Sequence, residues 1–91
     1  MADMIIKVSR DSQVTRVAGA IAHAWRAGQK PVARAIGAGA VSQAIKSVAV
    51  ASRYLGVHLA CVPGLEVVQV DGRKRTVVTL SVLALDEKGD S

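Results

Sequence analysis

The chain has 91 residues, with twelve Lys or Arg against seven Asp or Glu, a formal charge of +5 and a hydrophobic share of 51%. That length fits one small domain and leaves no room for a two-domain enzyme, while the apolar share excludes an intrinsically disordered segment. Phe is absent and Trp25 and Tyr54 are the only large aromatic residues, so the core must be thin and aliphatic, and self-association is a natural supplement for a domain this small.

In chain order, residues 4–8 (MIIKV) read as a first strand, apolar and partly β-branched. Arg10-Asp11-Ser12 breaks it, and Ser12 is placed as the N-cap of a helix over residues 13–27, whose Val14, Val17, Ala18, Ile21, Ala22 and Trp25 recur at helical spacing. Gly28 ends that helix in a left-handed conformation and Pro31 prevents its continuation. Residues 32–37 read as a second strand. Gly37-Ala38-Gly39 turns the chain, and from Ala40 the residues Val41, Ala44, Ile45, Val48 and Leu55 mark one face of a second helix that ends near Gly56. Two further strand-like runs, 57–62 and 65–70, are separated by Pro63-Gly64, which is expected to interrupt or bulge the ladder, so they count as one broken strand. A turn over residues 71–75 (DGRKR) leads to a last strand over 76–85, and residues 86–91 form a frayed acidic tail.

The sum is a single α/β domain of βαβαββ order. Right-handed crossovers put both helices on one face of a mixed four-stranded sheet, a two-layer sandwich with a bare second face. That face is not polar, because the last strand offers Val78 and Leu80 to one side and Val77 and Leu83 to the other. A sheet covered on one side alternates apolar with polar, so the excess points to a partner subunit.

Little here can carry catalysis. His23 sits mid-helix between Arg16 and Arg26, His58 has no carboxylate beside it in sequence, and paired carboxylates are missing from the whole central region. One Cys and two His give no metal-ligand spacing, and Cys61 between Ala60 and Val62 reads as a small buried hydrophobe. The expectation is a protein with no catalytic residues, metal or cofactor. A single cysteine, no signal-peptide pattern and no apolar run of the roughly 20 residues that span a bilayer indicate a cytoplasmic location, with association with the nucleoid open.

The charge is unevenly placed. Residues 12–65 contain no acid but hold Arg16, Arg26, Lys30, Arg34, Lys46 and Arg53. A helix usually gains support from opposite charges at i,i+4. Here the surface is either merely solvated or a footprint for a polyanion. Lys46 and Arg53 lie seven apart on one face of the second helix, and Arg73-Lys74-Arg75 projects three cations from a hairpin that could enter a duplex groove. The helix that follows Gly37-Ala38-Gly39 has no acidic cap, which leaves its first N–H groups for an external anion. With two aromatics, stacking on bases is minor and contact is mostly with phosphate.

Ile6-Lys7-Val8-Ser9, Val17-Ala18-Gly19-Ala20-Ile21-Ala22, Ala35-Ile36-Gly37-Ala38-Gly39-Ala40-Val41, Gln43-Ala44-Ile45-Lys46, Pro63, Val70-Asp71-Gly72 and Arg75-Thr76 resemble the stage V sporulation protein S family of bacteria, over nearly the whole chain. That family is similar in fold to Alba, a small archaeal chromatin and RNA-binding protein that shares the βαβαββ order, dimerises and reaches out with a hairpin. The resemblance implies a non-enzymatic nucleic-acid-binding regulator, linked in spore formers to septation and coat assembly. The Gly37 block and Ala44-Ile45 match an Alba-like strand-to-helix junction, with Ala38 where Alba proteins usually carry a basic residue. Arg10 alone stands for the usual basic pair after the first strand, and the hairpin reads as shorter than an Alba arm.

The expectation is a homodimer or higher homo-oligomer that binds DNA or RNA through Arg10, Gly37, Ala38, Gly39, Lys46, Arg53, Arg73, Lys74 and Arg75. The alternative is an oligomeric protein-interaction scaffold in a developmental pathway, its charge serving solubility.

Overall fold

A computed structural model describes residues 2–85; the acidic tail expected over 86–91 lies outside the described residues. The elements are β1 (Asp3–Val8), α1 (Val14–Arg26), β2 (Lys30–Ala35), α2 (Ala38–Leu55), β3 (Leu59–Val70) and β4 (Arg73–Ala84). They form one four-stranded sheet of order β1-β2-β4-β3, with β1 and β2 parallel and β4 antiparallel to both its neighbours. This is the expected two-layer α/β sandwich of Alba-like type.

The two helix ends follow from glycine. At the end of α1, Gly28 takes φ +77 while its N–H bonds to the Trp25 carbonyl and that of Gln29 to the Ala24 carbonyl. That pair of bonds is the Schellman arrangement, which satisfies carbonyls that the helix leaves open. Gly56 closes α2 in the same left-handed region. The start of α1 differs from expectation. Gln13 occupies the N-cap without a side-chain bond, because the Ser12 hydroxyl is turned back to accept from the Ser9 N–H at 2.9 Å.

Strand alternation sorts the sheet. Val8, Ala33, Leu80 and Val82 face the helices and meet Val17, Ala18 and Ile21 of α1 and Ala44, Val48 and Ala51 of α2. Ile21 and Val82 are among the largest fully buried side chains, so the core is as thin and aliphatic as the composition requires. On the other face Ile5, Val32, Ser81 and Val62 stand in one cross-strand row, and Ile5 and Val62 are exposed.

The second strand begins at Lys30, two residues earlier than predicted, since Lys30 donates to the Ala2 carbonyl at 2.8 Å and pairs with Asp3. Pro31 is tolerated there because β4 pairs β2 only over Val32–Ala35, leaving no ladder partner for the missing N–H.

The larger correction concerns β3. Its register with β4 is unbroken from Leu59↔Ala84 to Val70↔Arg73, straight through Pro63 and Gly64. The physical reason lies in the turn. Asp71 and Gly72 have φ +52 and +76, both in the region a two-residue type I′ turn demands, so Val70 and Arg73 form a hydrogen-bonded pair and pairs alternate from there. By that count Pro63 falls at a non-hydrogen-bonded pair on the outer edge, where it has no ladder bond to lose. Gly64 fits for a different reason, as a Cβ there would stand 2.7 Å from Thr79 Oγ1 and the Thr79 side chain would have to shift. The turn is thus only two residues long, and Arg73, Lys74 and Arg75 belong to β4.

Because β2 reaches β4 only as far as Val78, residues 66–70 and 73–77 pair solely with one another. They form an arm that extends the protein to 48 Å along its long axis against 24 Å across. The hairpin is longer than a broken strand would have allowed.

Candidate nucleic-acid interface

The start of α2 is built from three local features. Gly37, at φ +92, is the N-cap and offers no side chain, and the first turn contains no acid. An L side chain is disfavoured at that φ. The N–H groups of the first turn are therefore left without a capping carboxylate and carry the positive end of the helix dipole.

The loop after β1 is held against this terminus. Ser12 N–H donates to the Ser9 carbonyl at 3.1 Å, Asp11 N–H donates to Ser9 Oγ at 3.2 Å, and the Gln43 side-chain amide of α2 donates to the Ser12 carbonyl at 2.7 Å. A Cβ added to Gly39 would come within 2.9 Å of Arg10 Cβ. Glycine at 39 is what lets the Arg10 loop lie directly on α2.

One groove joins this junction to the arm. Lys7, Arg10, Arg34 and Arg75 line it together with Gly37, Ala38 and Gly39. Lys7 and Arg34 are directly paired in the β1–β2 register, and Arg75 comes from the same side of the arm as Glu66, Val68 and Val77. Two acids temper the four cations. Arg34 Nη2 lies 3.0 Å from Glu66 Oε1, with both side chains partly exposed, and Arg10 Nε lies 4.0 Å from Asp11 Oδ2 in full solvent. The second contact is of little energetic weight.

The structure thus gathers Arg10, Gly37, Ala38, Gly39 and Arg75 and separates the rest. Arg73 stands on the same side of β4 as Arg75, nearer the tip, while Lys74 points to the other side by strand alternation. Lys46 lines a second groove on the opposite flank of the α2 start, with Gly37, Ala38, Ile45 and Thr76. Arg53 is about 10 Å further along the helix, in its last turn, where a cation is favoured by the dipole alone.

Lys7 and Arg34 lie in apolar strands, away from the helix faces and the turn that mark the other cations in the sequence. The signal for them was parity: each alternates with core residues of its own strand, Val8 and Ala33 or Ala35. Only pairing of β1 with β2 puts the two side by side.

Among the described residues no group of three His, Cys, Asp or Glu side chains converges as a metal site would. Burial raises the Cys61 thiol above its ordinary range, the opposite of an activated nucleophile. No helix among the described residues is long and apolar enough to cross a membrane.

The family described as Stage V sporulation protein S matches residues 4–85. The chain belongs to that family. The match runs from the second residue of β1 to one residue past β4, and so includes the Arg10 loop, the Gly37 junction and the whole arm. Membership in the Stage V sporulation protein S family supports a role related to sporulation.

Proposed function

We propose that this member of the Stage V sporulation protein S family is a non-enzymatic regulator that binds nucleic acid by its phosphates and acts as a homo-oligomer in the cytoplasm, associated with the nucleoid. The observation that carries the reading is the convergence of Lys7, Arg10, Arg34 and Arg75 in one groove beside the uncapped first turn of α2. Arg73 extends that track toward the arm tip, with Lys74 and Lys46 on the opposite flank. Cations spaced along a groove suit a phosphate backbone, whereas the few rings offer no stacking platform. Arg53 belongs to this surface only through contact with a longer stretch of duplex.

The test is a mobility-shift titration against duplex DNA and RNA of random sequence. Binding should weaken steeply with salt, log K falling by roughly 0.9 per phosphate for each unit of log salt, and Arg10→Glu with Arg75→Glu, both in the groove, should abolish it. No binding at low salt, or binding indifferent to the double reversal, would refute the reading.

A second reading, the oligomeric interaction scaffold, is favoured by apolar side chains left in solvent, above all Leu65, Val67 and Ile45. A protein complex isolated free of nucleic acid would favour it over the first.

A further inference from the structure

The outer edge of the arm is unusually inviting to another strand. The sheet order leaves β3 at an edge. By the alternation set at the turn, Leu65, Val67 and Gln69 occupy non-hydrogen-bonded pairs with β4, so their N–H and C=O groups point outward. Proteins shield such edges with prolines, bulges, lysines or short strands. Residues 64–70 have no proline, no lysine and no bulge, and their single charge is Glu66. Leu65 and Val67, at 73% and 68% exposure, are the most exposed large hydrophobic residues of the described chain.

We propose that this edge pairs with the same edge of a second copy, antiparallel and centred on Val67. The inference deepens the homo-oligomer of the proposed function by naming the surface. Charge decides both occupant and register. A two-fold centre on Glu66 would set Glu66 against its own copy, and like charges directly opposite are destabilising. A centre on Val68 leaves a ladder shortened by the turn. With Val67 on the two-fold axis, Leu65 pairs with the partner subunit's Gln69 and Glu66 with the partner subunit's Val68, whose neighbour across the hairpin is the partner's Arg75. Each Glu66, already 3.0 Å from Arg34 of its own copy, then faces an apolar residue with a cation one strand beyond it, and no like charge.

This ladder runs from Gly64 to Val70 and adds about six inter-strand hydrogen bonds, two for each of three hydrogen-bonded pairs. Pro63 closes it at one end and the Asp71-Gly72 turn at the other. On the helix-side face the exposed Leu65 and Val67 of both copies meet. On the other face the tip of each arm lies beside the base of its partner, so the partner's Arg73 and Arg75 extend the track begun by Lys7 and Arg34. Two short grooves become one continuous band of cations.

The experiment uses the full chain at micromolar concentration. Light scattering should return twice 9.4 kDa for wild type and the monomer mass for Val67→Pro, with far-UV circular dichroism unchanged. Proline removes only an outward N–H at 67, as it does at Pro63, four residues away and of the same parity. In a Cys61→Ser background, Val67→Cys should oxidise to a linked dimer, since residues facing across the axis have Cα atoms about 5.5 Å apart. Thr76→Cys should not, being one strand further from the axis on each side. A wild-type dimer that persists in Val67→Pro, or that fails to crosslink at 67, overturns this interface and leaves the oligomer standing. A monomeric wild type overturns both. If Val67→Pro does not fold, the crosslink alone decides.

Discussion

The Arg34–Glu66 contact makes the sharpest prediction about the groove. Glu66→Gln keeps shape and hydrogen-bonding capacity while removing one negative charge 3.0 Å from Arg34. Stability should hardly move, because ion pairs this exposed are worth about 0–1 kcal/mol. Binding should change more. A phosphate about 7 Å from the carboxylate feels a repulsion of about 0.6 kcal/mol at the dielectric of water, and that term disappears. The guanidinium is also freed for one further phosphate, which steepens the salt slope by roughly 0.9. Together these amount to about 1 kcal/mol, or roughly fivefold tighter binding. Fluorescence anisotropy of a labelled duplex over a salt series, run on wild type, Glu66→Gln, Arg34→Gln and the double variant, separates the two contributions. Without Arg34 the Glu66→Gln gain should shrink to the repulsion term and the slope should stay put. Equal gains with and without Arg34, or no gain at all, would refute the idea that Glu66 competes with phosphate for Arg34.

Two further outcomes concern the fold. Gly39→Ala places a Cβ 2.9 Å from Arg10 Cβ, an atom that the Ser9–Ser12 turn and Gln43 hold in place, so the cost of about 1–3 kcal/mol for overpacking should exceed the helix-propensity gain of at most about 1 kcal/mol. Thermal unfolding should drop by several degrees, and a rise in Tm would show that the loop yields freely. Cys61 titrates above the ordinary thiol range because burial disfavours its thiolate. The folded protein therefore holds that proton more tightly, so the associated stability is complete below the unfolded thiol pKa and is lost as pH rises through the folded one. Maleimide labelling of the native chain should need a higher pH than labelling in urea, and equal pH profiles would contradict the burial of this thiol.

Much of the cationic groove was visible as residue types and little of it as neighbours. Arg10, the glycine junction and Arg75 could be named from their sequence, and they do meet. Lys46 and Arg53, joined by helical spacing, share a face yet stand apart from that groove, since a shared face says nothing about distance along the axis. Lys7 and Arg34 each sit in an apolar strand, where sequence parity gives the outward direction but not the neighbour. Pro63-Gly64 misled for a related reason. Proline disrupts a central strand and is harmless on an outer edge at the right parity, and edge position is a property of the assembled sheet.

What the amino-acid order alone determined is local. Gly28 and Gly56 stop helices because glycine enters the left-handed region cheaply, Asp71-Gly72 turns a hairpin because Asp also tolerates that region beside a glycine, and the spacing of aliphatic residues sets two helices and four strands. The tertiary structure decided what no local spacing carries. Inserting β4 between β2 and β3 put β3 at the edge and projected the arm, pairing β1 with β2 brought Lys7 to Arg34, and the missing side chain at Gly39 let Arg10 settle on α2. Those approaches join residues far apart in the chain, and they arise when strands compete for partners and buried area, which only the whole fold resolves.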